Sequence, residues 1–291
     1  MFREHFKRLK FSFIRSNKNE LAHYKPMLGP FGLRDMKSIP NDWKVRAPDF
    51  VGISSPKAGT SWWYSLILDH PQVQENRLNE KELAYFYHYG LDEINQEAIS
   101  TYRQAFAAPK GSISGEWSPS YLWFPLALEN LFKTVPETKI LIMLRNPIDR
   151  YLSHLNQASI DSKHRFGDNE EMSYLMETFW AYPDSFLQSC LSTQLKKLLS
   201  YYDRSQILLL QYEKCKKNTQ KEISRTYKFL GIDDSYQPNE QDKLVNKRKY
   251  ILEDLNSKQR KTLAQYYMDE VDQTVKMFPE IDVNLWEDFI T

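Results

Sequence analysis

The sequence predicts an α/β protein whose central parallel sheet is flanked by helices, and three features predict it. First, Asp49-Phe-Val-Gly-Ile-Ser54, Lys139-Ile-Leu-Ile-Met-Leu144 and Gln206-Ile-Leu-Leu-Leu-Gln211 are short apolar runs without alternation. Such runs suit strands covered on both faces. Second, each run is followed by a segment of helical length bounded by helix start or stop signals. Third, strands alternating with helices need crossover connections, which stack helices on both sides of a parallel sheet. No internal repeat or low-complexity tract interrupts the alternation.

The elements follow in order. Residues 1–48 are punctuated by Pro26, Gly29-Pro30, Gly32, Pro40 and Pro48, too often for long elements, and read as an irregular arm. Residues 49–291 are expected to form a single α/β domain. After the first strand, Ser61-Trp62-Trp63 through Asp69 is helical and Pro71 ends it. Val73 to Leu78 reads as a short strand. Asp92 to Phe106 is helical, with Leu91, Ile94, Ala98, Tyr102 and Phe106 roughly on one face. Ser112 to Glu116 is a further strand, and Pro125 starts a helix to about Val135. Pro147 opens a helix behind the strand 139–144. Helices are expected over 169–181 and 185–201, from Asn218 to Leu230 with Gly231 as the stop, and from Leu255 to Phe278. Residues 238–250 read as a basic loop.

Composition narrows the function. With 291 residues, 41% hydrophobic and 26% charged, the chain is globular. Lys+Arg 39 against Asp+Glu 38 leaves a formal charge of +1, so no global field attracts nucleic acid or an anionic membrane. Anion recognition must be local. Cys190 and Cys215 make neither a disulfide framework nor a metal spacing, so no metal is expected and a reducing, cytoplasmic setting is. No apolar run approaches the ~20 residues that span a bilayer. Met1 to Arg15 is basic and aromatic, without a signal-peptide core, and suits a small amphipathic surface helix.

The chemistry concentrates in Ser54-Ser-Pro-Lys57-Ala58-Gly59-Thr60-Ser61-Trp62. This turn joins a buried strand to a helix, as a phosphate site requires. Gly59 lets the backbone approach a ligand, helix N-terminal N–H groups point at it, and Thr60 and Ser61 add hydroxyls. Lys57 brings a mobile positive charge. The order differs from the mononucleotide loop G-x-x-x-x-G-K-[ST], because Lys57 precedes Gly59 and Thr60 follows that glycine directly. A second candidate anion site is Arg145, at a strand end, with Ser153 one or two turns into the next helix.

The Lys-x-Gly-Thr-Ser-Trp order resembles the 5′-phosphosulfate loop of the PAPS-dependent sulfotransferases. Arg145-Asn146-Pro147-x-x-Arg150-x-x-Ser153-His154 resembles that family's 3′-phosphate motif. Lys81-Glu82-Leu-Ala-Tyr85-Phe86 is similar to the Lys-Glu-x-x-Phe/Tyr-Phe segment of its carbohydrate-type and bacterial branch, where the Glu is the general base and the aromatics line the acceptor cleft. The resemblance covers about residues 49–250 and implies a P-loop-like fold, PAPS as donor and PAP as product. It also implies Glu82 as base, with Glu80 and His88 as competitors, and a cofactor site of Lys57, Ala58, Gly59, Thr60, Ser61, Trp62, Arg145 and Ser153. Trp62 stands where some relatives stack tryptophan on adenine, and Trp63 is expected in the core. Lys247 and Arg248 match the loop closing over the nucleotide only loosely. Lys81, Tyr85, Phe86, His88 and Glu116 are carried as acceptor-binding candidates. Glu116, in Gly115-Glu-Trp-Ser-Pro-Ser-Tyr121, is equally a cap of the turn that follows it. Tyr212-Glu213 matches the family's late Tyr-Glu pair, for which a structural role is preferred. Ser189-Cys190-Leu191 departs from the family's Gly-x-Tyr.

The function expected is sulfuryl transfer from PAPS to a hydroxyl or amine of a saccharide, lipid or small metabolite. Two alternatives stand beside it: a nucleotide kinase of related fold, and a non-catalytic PAPS- or glycan-binding protein.

Overall fold

A computed structural model of the chain describes residues 36, 38–86, 93–124, 126–166, 183–239 and 255–290. Its centre is four parallel strands: β1 Phe50–Ser54, β2 Gly115–Trp117, β3 Lys139–Leu144 and β4 Ile207–Gln211, in the order β2-β1-β3-β4. Phe50 pairs with Gly115 and Lys139, and Ile140 pairs with Ile207. Connections run outward in both directions from β1, so the strand order reverses between β1 and β3. In parallel sheets ligands bind beyond the carboxyl ends of the strands at such a point.

The helices are α1 Thr60–Leu68, α2 Gln96–Gln104, α3 Ala127–Thr134, α4 Pro147–Phe166, α5 Pro183–Leu187, α6 Ser192–Tyr201, α7 Tyr212–Lys217, α8 Thr219–Leu230 and α9 Ser257–Met277. They cover both faces of the sheet. Val51, Ile53, Ile140, Ile142, Leu144 and Leu209 face one core with α3, α4, α6 and α9. Phe50, Leu141, Met143, Leu208 and Leu210 face the other, against α1 and α8. Alternate residues of one strand therefore enter different cores, which is why the strands carry no polar face. Trp63, expected in the core, is fully buried there and its indole N–H bonds Thr226 at 3.1 Å.

Three expectations differ in detail. Val73 to Leu78 forms no strand; Val73 makes a single parallel bridge to Ile113, and Asn76 folds the rest into a turn. The strand expected over 112–116 begins at Gly115 and includes Trp117. The helix expected over 185–201 is divided, because Ser189 N–H and Cys190 N–H close a turn onto Phe186 and Leu187 before α6 starts. The helix expected over 169–181, the basic loop after 239, His88, Lys247 and Arg248 lie outside the described residues. Among those residues no helix is long and apolar enough to cross a membrane.

Candidate active site

The site begins where β1 ends. Residues 55–59 turn sharply into α1, with Lys57 at φ 71° and Gly59 at φ 98°. Gly59 is the helix N-cap and offers no side-chain cap, so the first-turn N–H groups, which have no carbonyl one turn earlier, face outward from the loop. A Cβ on Gly59 would lie 2.5 Å from the ring of Tyr212. The glycine is thus required twice, by its φ and by the tyrosine packed against it. Ala58 and Thr60 are buried beneath the turn, and Ser61 is half-buried at the start of α1. Trp62 is buried too, edge-on to Trp63 and Tyr212 at 5.2 and 6.1 Å between ring centroids.

Arg145 follows β3, the neighbour of β1, and its guanidinium reaches the same turn. Nη1 donates to the Lys57 carbonyl at 3.2 Å, and the guanidinium carbon lies 5.0 Å from the Tyr212 ring centroid. The two candidate anion-binding elements read from the sequence therefore meet at one turn. Lys57 Nζ lies 3.5 Å from Gln157 Oε1 on α4. Ser153, half-buried on that helix, precedes Gln157 by four residues, so the two share a face. That face looks toward Lys57.

Arg150 supports the turn from beneath. It is almost wholly buried, with Nη1 donating to the Pro56 carbonyl at 3.3 Å, Nη2 to the Ser185 carbonyl and Nε to Ser189 Oγ. Burial pulls its guanidinium down to about 10, which leaves it protonated at neutral pH. Arg145, Arg150, Ser55, Ala58, Ser189, Glu270 and Trp286 line a small cavity beside the turn.

Glu213 and the C-terminal segment hold the Arg145 loop. Glu213 accepts the Asn146 N–H and the Trp286 indole N–H, each at 2.9 Å, and burial pushes its carboxyl up. The Asn146 side chain accepts the Ile148 N–H at 2.9 Å, satisfying a first-turn donor of α4, and donates to Asp288 at 3.0 Å. Sequence reasoning did not single out Gln157, Trp286 or Asp288. Gln157 lies 100 residues from Lys57, Asp288 142 from Asn146 and Trp286 73 from Glu213, and nothing in their local sequence announces the contact.

Lys81 and Glu82 lie at the carboxyl end of β2, where the Lys81 carbonyl accepts the Trp117 N–H at 2.8 Å. Glu82 is exposed and ion-paired with Lys81. Tyr85 and Phe86, expected to line an acceptor cleft, are instead buried in the core beside Tyr102 and Tyr121. Glu116, carried as an acceptor contact, is also fully buried, and its oxygens are occupied by four internal donors. These three side chains went inward because β2 lies at the sheet edge, and the segment after Glu82 covers that edge. Among the described residues no three His, Cys, Asp or Glu side chains converge as a metal site would require.

Residues 47–288 match the family described as Sulfotransferase domain. The chain belongs to that family. Among curated relatives of this sulfotransferase-family chain, the membrane-associated sulfotransferase kil1 of Dictyostelium discoideum is 29% identical over 136 residues, covering 46% of this chain and 28% of that protein. The bifunctional heparan sulfate N-deacetylase/N-sulfotransferase 4 of Mus musculus is 26% identical over 209 residues, covering 65% of this chain and 23% of that protein. The chain thus spans about a quarter of the length of these relatives. The sulfotransferase of Alicyclobacillus acidocaldarius superposes with a TM-score of 0.64 at 20% identity, covering 84% of this chain and 100% of that one. This sulfotransferase-family chain therefore has the fold that its motifs implied.

Proposed function

We propose that this chain transfers a sulfuryl group from PAPS to a hydroxyl or amine of a saccharide-like acceptor or small metabolite, with Glu82 as general base. The contact of Arg145 with the Lys57 carbonyl carries this reading, because it joins two anion-binding elements where the strand order reverses. A donor with phosphate groups at both ends of an adenosine needs that pairing. The residues present fit it: Arg145 Nε is buried with no hydrogen-bond partner among the described residues, and beside it the turn holds Lys57 and Gly59 at positive φ, the backbone form that suits an anion.

When bound, PAPS supplies a sulfur atom whose bond to the phosphate oxygen breaks as the acceptor oxygen or nitrogen bonds to it, releasing PAP. The chain's residues then have separable tasks. Lys57 and the α1 N-terminus face the negative charge that accumulates on the departing phosphate. Arg145 and Ser153 hold the far phosphate. Glu82, exposed at the carboxyl end of β2, takes the acceptor's proton on a carboxylate oxygen. Trp62 and Tyr212 offer an aromatic wall for the base, of which Tyr212 is the more exposed. The heparan sulfate named for the murine relatives makes amino sugars and their hydroxyls the first acceptors to try.

The test is transfer of labelled sulfate from PAPS to a panel of desulfated glycosaminoglycan oligosaccharides and simple alcohols. On the best acceptor, Lys57→Ala should lower kcat by roughly 10²–10³, the scale of one transition-state donor. Glu82→Gln should lose turnover while PAP affinity, measured by calorimetry, is retained. A fully active Glu82→Gln would move the base elsewhere, and an active Lys57→Ala would reject the assignment of the loop.

A further inference from the structure

We propose that Glu116 is a positioning residue: through a buried relay of hydroxyls it grips the backbone of residues 83–85 and thereby sets the stance of Glu82. This rests on the reading of Glu82 as the base. Glu116 Oε2 accepts the Leu83 N–H at 3.0 Å and the Ser118 hydroxyl at 2.6 Å. Its Oε1 accepts the Tyr102 and Tyr121 hydroxyls at 2.6 and 3.0 Å. Ser118 Oγ in turn accepts the Ala84 N–H at 3.0 Å, and the Tyr121 oxygen accepts the Tyr85 N–H at 2.8 Å. Three successive backbone donors are thus bound to one carboxylate, the first directly and the next two through a single hydroxyl each.

The geometry has a clear polarity. The Ser118, Tyr102 and Tyr121 hydroxyls each spend their only proton on Glu116, and those of Ser118 and Tyr121 offer lone pairs to the backbone. Ala84 at φ 51° turns consecutive N–H groups toward a common centre, the concavity that favours an anion. One N–H and three hydroxyls point at the two oxygens of Glu116, an arrangement that a carboxylate satisfies. Burial nevertheless pushes this carboxyl up, with the hydroxyl and Leu83 hydrogen bonds pulling against it. An apolar side chain would fill the space without that cost, since a buried charge is expensive unless fully bonded. What the carboxylate adds is precise placement of a backbone. On the other side of Glu82, the Lys81 carbonyl is tied to the Trp117 N–H. Glu82 therefore stands between two peptide groups anchored to adjacent residues of β2, with its own side chain left exposed.

The experiment compares Ser118→Ala, Tyr121→Phe, Tyr102→Phe and Glu116→Gln for kcat, acceptor KM, PAP affinity and Tm, with Glu82→Gln alongside. Ser118 and Tyr121 touch both the carboxylate and the loop backbone, whereas Tyr102 touches the carboxylate and not the backbone. Misplacing a reacting group by about 1 Å costs on the order of 10²-fold, so Ser118→Ala and Tyr121→Phe should each lower kcat about tenfold or more. PAP affinity should stay within about twofold, because the relay's hydrogen bonds end on residues 83–85 and not on the phosphate turn. Tyr102→Phe should cost comparable Tm and distinctly less kcat. Glu116→Gln should show the largest loss of kcat if it folds; if it does not, the three milder variants still decide. Equal loss of kcat in Tyr102→Phe and Tyr121→Phe, tracking Tm alone, would overturn the inference. So would unchanged kcat in Ser118→Ala and Tyr121→Phe when Glu82→Gln is inactive. An active Glu82→Gln would overturn the assignment of the base, and with it the role given to Glu116.

Discussion

Lys57 occupies a left-handed backbone conformation, φ 71°, that costs a residue with a Cβ free energy and costs glycine almost none. A non-glycine residue persists in such a place only when the surrounding structure holds it there. Replacing it therefore separates backbone from side chain. Lys57→Gly should be more stable than Lys57→Ala by roughly 1 kcal/mol, read from denaturant unfolding, while both lose turnover. Were Lys57→Ala the more stable, the strain would be absent from the folded protein. Two residues on, Gly59 tolerates no such exchange, because the Tyr212 ring fills the space a Cβ would take.

At the scale of elements, the C-terminal segment acts as a clamp on the loop that carries Arg145. Arg260 of α9 binds Asp288 through Nε at 2.8 Å and Nη2 at 2.6 Å, and reaches Asp149 of α4 at 2.8 Å. Asp288 also accepts from Asn146, and Trp286 from the same segment binds Glu213. The tip of α4 is thus fastened from a position far along the chain. Burial alone would raise the Asp288 carboxyl, but the hydrogen bonds from Arg260 and Asn146 outweigh it and hold the group below its ordinary value. The unfolded chain then binds this proton more readily than the folded one. The stabilisation is fully present above the ordinary value of 3.8 and is lost as pH falls through the depressed one. Asp288→Asn should lower Tm at pH 7, and its deficit against wild type should shrink on acidification below about pH 4. A deficit independent of pH would mean that the clamp acts by packing alone.

For the whole molecule, the site lies between two cores that share one sheet. Val51 and Ile53 enter one core while Phe50 and Met143 enter the other. The phosphate turn leaves β1 and the Arg145 loop leaves β3, so a ligand bridging them couples adjacent strands. PAP at a hundred times its Kd should then stabilise the folded chain by about 2.7 kcal/mol. ATP at the same concentration should do much less, since its phosphates form a single chain and the Lys57-before-Gly59 order is not that of a triphosphate loop. Strong stabilisation by ATP with none by PAP would favour the kinase reading instead.

What the chain determines by itself is local. Lys139–Leu144 is a strand with the bounds read from its apolar run, Pro147 opens α4, and Gly231 stops α8 in a left-handed conformation. The Lys57–Ser61 turn was equally legible, because a glycine and hydroxyls at a strand–helix junction declare themselves within a few residues. The tertiary structure alone decided which side chains meet. Arg145 reaches Lys57 because β3 lies beside β1, 88 positions away in sequence. Tyr85, Phe86 and Glu116 turned inward because the edge strand β2 had to be covered and its buried carboxylate had to find donors. Helix and strand signals depend on neighbours in sequence, whereas the partner of a buried polar group depends on strand order, which no short stretch of residues contains.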